Sequence, residues 1–128
     1  LVRSRGLGDV YKRQLYGFVM GTNLTVCYGR IDEALQGQWF SQAPQPGIWY
    51  HVAATFDEGV LQLYLNGNTD NSASGLGTLA TGAGKFMICK AMTGGTSFYM
   101  ANGYSDDIKL YNRALSAAEI KAIYTREA

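Results

Sequence analysis

The chain has 128 residues, enough for one domain at most, and its 47% hydrophobic and 12% aromatic residues favour a packed core over disorder. The formal net charge is +1, but positions 1–14 carry +3, so the remainder carries −2. No basic stripe with interleaved aromatic residues is left, which argues against a nucleic-acid-binding protein. No apolar run approaches the roughly 18 residues that a membrane-spanning helix requires.

The first fourteen residues show neither a helical nor a strand period. Asp9–Gln14 reads as the translation of GAT-GTG-TAT-AAG-AGA-CAG, which resembles the end sequence of a transposase-based sequencing adapter. We therefore interpret residues 1–14 as a non-native segment and residues 15–128 as a partial domain. The rival interpretation is a basic arm or the start of a signal peptide, but no apolar stretch of sufficient length follows.

The next part of the chain predicts short strands. Leu15–Met20 and Leu24–Tyr28 are apolar runs separated by a turn that contains glycine. Ile31–Gln38 fits either a helical turn or a weak strand or loop, and its β-rich surroundings favour the latter. Segment 41–47 holds both prolines and predicts a loop.

The clearest pattern is a pair of strands with two tight turns. Trp49–Phe56 and Val60–Leu65 predict antiparallel strands joined by a turn at Asp57–Gly59, and Asn66–Gly67 predicts a second hairpin turn. Because side chains alternate between the faces of a strand, one face is predicted to be buried. That face consists of Val52, Ala54, Phe56, Leu61, Leu63 and Leu65, with Gln62 and Tyr64 facing away.

Weaker patterns follow, and a helix closes the chain. Asp70–Gly84 predicts a weak edge strand and a loop, and Lys85–Lys90 and Tyr104–Tyr111 predict strands. Ser116 and Glu119 have the spacing of a capping box, in which each side chain bonds the other residue's amide. Leu115 and Ile120 are placed for a hydrophobic staple, and the predicted docking stripe is Ile120, Ile123 and Tyr124.

Two segments carry a family resemblance. Trp49–Gly67 resembles the W-x-H-V-A-x-T-(F/Y)-D and L-x-L-Y-(V/L)-(D/N)-G hairpin of laminin-G-like domains. Asn102–Ile120 resembles that family's closing G-x-I-D-(D/E)-(V/I)-x-(I/L)-Y-N-R-A-L-S-x-x-E-I, except that Ser105 replaces an apolar residue. The resemblance implies an all-β, antiparallel two-sheet jelly-roll sandwich of the concanavalin A type, incomplete at its N-terminus, with a short C-terminal helix.

The resemblance also implies a function. Such domains belong to larger secreted or cell-surface proteins and bind carbohydrate or extracellular protein ligands beside other domains of the same chain. We therefore expect a non-catalytic binding or adhesion module, without nucleic-acid binding or membrane insertion. The alternatives are a structural spacer with no ligand of its own and a truncated glycoside-hydrolase-like domain.

Candidate binding residues are aromatic or amide side chains beside predicted loops. A flat aromatic face complements the C–H face of a pyranose ring, which makes Trp39 and Tyr99 candidate sugar platforms. Asn102 is a candidate hydrogen-bond donor near Tyr99. Trp49 belongs to the hairpin motif and is expected in the core instead.

No catalytic residues are assigned. A glycosidase needs two carboxylates flanking the scissile bond, whereas Asp32-Glu33, Asp57-Glu58 and Asp106-Asp107 are adjacent pairs, whose members point to opposite faces of a strand. His51, the only histidine, has no nucleophile partner in a recognisable motif and is interpreted as structural.

A metal site and a disulfide stay open. Some members of the wider superfamily hold calcium at the rim, and Asp106 is expected to point inward, either paired with a group such as Arg113 or as a calcium ligand. No metal site is assigned on this basis. Cys27 and Cys89 are interpreted as buried thiols, with a mutual disulfide as the alternative.

Overall fold

The protein is described by a computed structural model over residues 16–21, 24–31, 34–43, 45–78, 91–93, 96–98 and 104–127. Side chains are described within 37–43, 45–78 and 104–126. The elements in chain order are β1 (Tyr16–Gly21), β2 (Leu24–Ile31), β3 (Ala34–Trp39), β4 (Val52–Asp57), β5 (Val60–Leu65), β6 (Asn68–Ala73), β7 (Ala91–Thr93), β8 (Thr96–Phe98) and α1 (Ala117–Glu127).

The described strands pair antiparallel in the orders β1-β2-β3, β4-β5-β6 and β7-β8. This confirms the prediction of antiparallel sheet with a short C-terminal helix. The ambiguous segment Ile31–Gln38 supplies β3, which pairs with β2 from Ile31↔Ala34 to Val26↔Trp39. The strand predicted at Lys85–Lys90 lies outside the described residues.

Two tight turns set the register of β4, β5 and β6. Asp57 pairs with Val60, so Glu58 and Gly59 form a two-residue turn with φ of 44° and 76°. Leu65 pairs with Asn68, and the Asn66-Gly67 turn has φ of 50° and 72°. Positive φ at both central residues is the type I′ geometry that matches strand twist, so both predicted hairpin turns are confirmed.

One face of β4 and β5 forms an apolar cluster. Phe40, Ala54, Leu61 and Leu63 are buried together. The partly buried side chains packed against them are Val52, Phe56, Leu65 and Leu76. The alternation argument therefore identified this face correctly. Leu63 is 0% exposed and is one of the largest fully buried side chains among the described residues.

The opposite face of the same hairpin is covered by α1. Ala53 and Tyr64 form a second buried cluster with Leu115, Ile120 and Ile123. Tyr64 does face away from the first cluster, as predicted, but the helix buries it. The β4–β5 hairpin is thus packed on both faces.

The capping box at the start of α1 is also confirmed. The Ser116 amide donates to Glu119 Oε2 at 2.8 Å, and the Glu119 amide donates to Ser116 Oγ at 3.3 Å. Leu115 and Ile120 are buried in the same cluster, as a hydrophobic staple requires. The local sequence therefore determines where the helix begins and which side of it docks.

Two expectations were wrong. Trp49 is 68% exposed rather than in the core, because β4 begins only at Val52 and Trp49 lies in the loop before it. The strand predicted over Tyr104–Tyr111 has no regular secondary structure. Asp107 interrupts it with a left-handed φ of 49°, and its amide bonds the Asp106 side chain instead of a neighbouring strand.

Candidate functional site

A β-bulge interrupts the pairing of β5 with the edge strand β6. On β5, Gln62 pairs with Ser72 and Tyr64 pairs with Thr69. The one β5 residue between these pairs, Leu63, therefore lies opposite two β6 residues, Asp70 and Asn71. Such a bulge bends a strand and redirects side chains, and bulges are frequent beside functional sites. Two adjacent polar side chains are thereby displaced from the regular alternation.

The Gln62 side chain holds the bulge in place. Its amide nitrogen donates to the carbonyl oxygens of Leu63 at 2.9 Å, Asp70 at 3.1 Å and Asn71 at 3.3 Å. The extra residue of a bulge leaves backbone groups outside the ladder, and the Gln62 amide supplies donors for them. The geometry of Asp70 and Asn71 is therefore fixed from the neighbouring strand.

The bulged residues reach across to the end of β3. Asn71 Nδ2 donates to the Trp39 carbonyl oxygen at 2.9 Å, and the Ser41 amide donates to Asp70 Oδ2 at 2.9 Å. The other carboxylate oxygen, Asp70 Oδ1, accepts no hydrogen bond from a described residue. We call Trp39, Ser41, Asp70 and Asn71 the Trp39 rim.

Trp39 presents its side chain to solvent at this rim. It is 50% exposed, whereas the next residue, Phe40, is 4% exposed and belongs to the apolar cluster. Phe40 lies one residue past the end of β3, so the chain exposes one of these two neighbouring aromatic side chains and buries the other. The rim thus combines an exposed indole with a carboxylate oxygen and an amide, which are the groups that recognise a polar ring with an apolar face.

The described part of the structure does not show the other predicted site residues at the Trp39 rim. Tyr99 and Asn102 lie outside the described residues, so their roles stay predictions. Cys27 lies on β2 and Cys89 lies outside the described residues, so the disulfide question also stays open. Sequence reasoning missed Asp70 and Asn71, because the bonds that set their geometry involve Gln62 on β5 and the end of β3.

The inward orientation expected of Asp106 is wrong. Asp106 and Asp107 are both exposed, because the left-handed Asp107 turns the chain. The described residues contain no group of three His, Cys, Asp or Glu side chains able to hold a metal ion. Because calcium requires six or more oxygen ligands, Asp106 and Asp107 alone are too few, and a calcium site stays a prediction.

Arg113 pairs with Glu119 and not with Asp106. Its Nη1 and Nη2 donate to Glu119 Oε2 at 3.0 Å and Oε1 at 2.6 Å. These bonds and those from Ser116 lower the pKa of Glu119 to about 2. The pair therefore reinforces the helix cap and carries no separate chemistry.

His51 is half-buried beside the Asn66-Gly67 turn and packs against Tyr124 of α1. Burial lowers its pKa, and the charge of Lys109 adds to the effect. The described surroundings place no nucleophile on the ring, which agrees with a structural role.

Comparison with known proteins assigns the family. The family model described as the concanavalin A-like lectin/glucanases superfamily matches residues 21–121. The chain belongs to this superfamily. The family predicted from the hairpin and closing motifs is thereby confirmed.

A solved structure that is similar to this chain supports the fold. A crystal structure of part of an S-layer domain-containing protein from Clostridium thermocellum matches with a TM-score of 0.55 and 21% identity. The match covers 86% of the present chain and 63% of that one, so the chain spans less than two thirds of its relative. At this identity the likeness concerns the fold alone. Within the described residues, no helix is long and apolar enough to span a membrane.

Proposed function

We propose that the chain is a non-catalytic carbohydrate-binding module of a larger secreted or cell-surface protein, and that the Trp39 rim is its binding site. The observation that carries the proposal is the half-exposed indole of Trp39 beside the bulged Asp70 and Asn71. In this proposal β1–β3 and β4–β6 contribute to the two-sheet jelly-roll sandwich typical of the family.

The rim suits a sugar ring because it is partly apolar and partly polar. The indole of Trp39 offers a flat surface for the C–H face of a pyranose. Asp70 Oδ1, which accepts no hydrogen bond from a described residue, is an acceptor for a hydroxyl. The bond between Asn71 and the Trp39 carbonyl keeps both residues in one arrangement. A site ordered before binding loses less conformational entropy when a ligand arrives.

Two adjacent carboxylate pairs lie at a hairpin turn and in an exposed irregular segment, which supports a role without catalysis. Asp57 ends β4 and Glu58 occupies the hairpin turn, while Asp106 and Asp107 lie in an exposed irregular segment. Retaining and inverting glycosidases instead direct two carboxylates at one bond from about 5 to 9.5 Å apart. An extracellular location is supported by the superfamily and by the similar fold of the S-layer domain-containing protein.

The test uses the two tryptophans of the chain. A glycan array identifies a ligand for the 128-residue protein, and Trp49→Phe then leaves Trp39 as the only indole for a fluorescence titration. We expect Trp49→Phe to bind as the parent does and Trp39→Ala to weaken binding about tenfold or more, the loss of one stacking contact.

Each other result points to a different function. Absence of binding to glycans favours a spacer or a protein ligand, which a pull-down with extracellular proteins separates. If Trp39→Ala binds the ligand with the same affinity as the parent, the binding site does not lie at the Trp39 rim. Release of reducing sugar from a polysaccharide would contradict the non-catalytic assignment.

A further inference from the structure

The backbone of His51 is fixed to the second hairpin turn, independently of the Trp39 rim. The His51 amide donates to Asn66 Oδ1 at 3.0 Å, and the Asn66 amide donates to the His51 carbonyl at 2.8 Å. These bonds fix the backbone of His51 beside the turn, and its imidazole packs against α1. Its ring centroid lies 5.6 Å from that of Tyr124, with 48° between the planes.

The imidazole is placed where a neutral ring fits and a charged one does not. Nδ1 is buried and has no hydrogen-bond partner, the single such side-chain atom among the described residues. Protonation makes both ring nitrogens donors, which would leave a buried N–H without an acceptor. The cost of such a group is larger when it is charged.

Among the described residues, no carboxylate contributes to the environment of His51 that would compensate a positive charge. Lys109 raises the local potential from the segment before α1. On α1, Lys121 Nζ already lies 5.3 Å from the centroid of the Tyr124 ring, which is the aromatic surface His51 packs against. The hairpin turn contributes Asn66, whose side chain is uncharged.

The C-terminal half of α1 packs against the Asn66-Gly67 turn beside His51. Tyr124 lies directly over Gly67, where an added Cβ would come within 2.7 Å of its ring. Lys121 Nζ donates to Asn68 Oδ1 at 3.0 Å. Beneath the helix lie Ala53 and Tyr64, which are buried against it.

We propose that His51 is a pH-sensitive latch: its protonation releases α1 from the β4–β5 hairpin and uncovers the apolar face formed by Ala53 and Tyr64. The docked state holds the ring neutral, while the open state exposes it to water, where both protonation states are hydrated. Acidification therefore shifts the population towards the open state.

The sign follows from proton linkage. Burial lowers the pKa of His51 in the docked state below the ordinary value of 6.5, so the open state binds more protons as the pH falls. Docking of α1 on the hairpin is strongest above pH 6.5 and weakens as the pH falls below that value. It stops weakening once His51 is protonated in the docked state as well. For one proton, the opening constant rises by at most about tenfold per pH unit.

The test is hydrogen exchange on the 128-residue chain between pH 7 and pH 5, corrected for intrinsic exchange rates. We expect protection of the amides of Ile120 and Ile123 to fall severalfold over this range, while the amide of Leu63 keeps its protection. His51→Gln, which cannot titrate, should make helix protection independent of pH. Arg126→Gln, which removes a positive charge from an exposed position on the same helix, is the matched control and should retain the pH dependence.

A second measurement holds even if His51→Gln folds poorly. The C–H resonances of His51, the only histidine, report its pKa by NMR, and Ile123→Ala should raise that pKa towards 6.5 by weakening helix docking. Helix protection that does not change with pH would overturn the proposal. So would the same pH dependence in His51→Gln, or an NMR pKa of His51 that does not lie below 6.5.

Discussion

Gly67 lies against Tyr124 of the C-terminal helix, and Gly67→Ala tests that packing directly. The residue has a φ of 72°, which costs a residue with a Cβ about 1 kcal/mol. An added Cβ would also come within 2.7 to 2.9 Å of Tyr124 Cδ1, Cβ and Cγ. Because Tyr124 Cβ is attached to the helix backbone, rotating the ring cannot relieve all of these contacts.

We expect Gly67→Ala to lower the free energy of unfolding by about 3 kcal/mol. About 1 kcal/mol comes from the backbone, and about 2 kcal/mol comes from overpacking beneath the helix. Gly47→Ala is the matched control, since Gly47 has a φ of 79° and no atom within 4 Å of an added Cβ. It should lose only the backbone contribution of about 1 kcal/mol.

Urea denaturation followed by circular dichroism measures both variants. The double variant Gly67→Ala/Tyr124→Ala separates the two contributions, because removing the ring relieves the clash and makes the two substitutions non-additive. Equal losses in Gly67→Ala and Gly47→Ala would refute the close contact between the turn and the helix. Strict additivity in the double variant would refute Tyr124 as its cause.

Three further predictions concern the helix cap and the bulge. Ser116→Ala should lower the free energy of unfolding by about 1 kcal/mol in urea denaturation, and an unchanged midpoint would contradict the capping box. Glu119 has a folded-state pKa of about 2 against an ordinary 4.5, so the stability it contributes is complete above 4.5 and is lost as the pH falls towards 2. Acid denaturation curves of the parent and Arg113→Gln should differ in that range, and identical curves would count against the pair. Gln62→Met should cost about 1–3 kcal/mol, because the bulge carbonyls lose their donor, whereas Gln42→Met, on the exposed loop, should change little.

The sequence predicted best where local chemistry and burial agree. The Asn66-Gly67 turn and the Ser116–Glu119 cap are each determined by a few neighbouring residues, and both are present. The buried face of β4 and β5 followed from alternation, because strand geometry fixes where side chains point. The family followed from the order and spacing of two motifs.

The failures arise where contacts between distant residues decide the structure. The bulge at Asp70-Asn71 depends on Gln62 in another strand and on the end of β3, and no local pattern contains those bonds. Trp49 was expected in the core from the hairpin motif, but β4 begins only at Val52. Asp106 was assigned by alternation in a segment that forms no strand. Residues 1–14 lie outside the described part of the chain, so their interpretation as a non-native segment stays a prediction.

The bulge in β6 also has a consequence for the association of one molecule with another. Among the described strands β6 is the edge of its sheet, and an exposed edge strand offers unpaired amides and carbonyls on which a strand of a second molecule can assemble. In β6 the regular spacing of those groups is broken at Asp70 and Asn71, and their side chains are already bonded to Ser41 and the Trp39 carbonyl. A foreign strand would find neither a continuous ladder nor an open approach at this point. The irregularity that arranges the Trp39 rim thus also protects the sheet edge against intermolecular β-pairing.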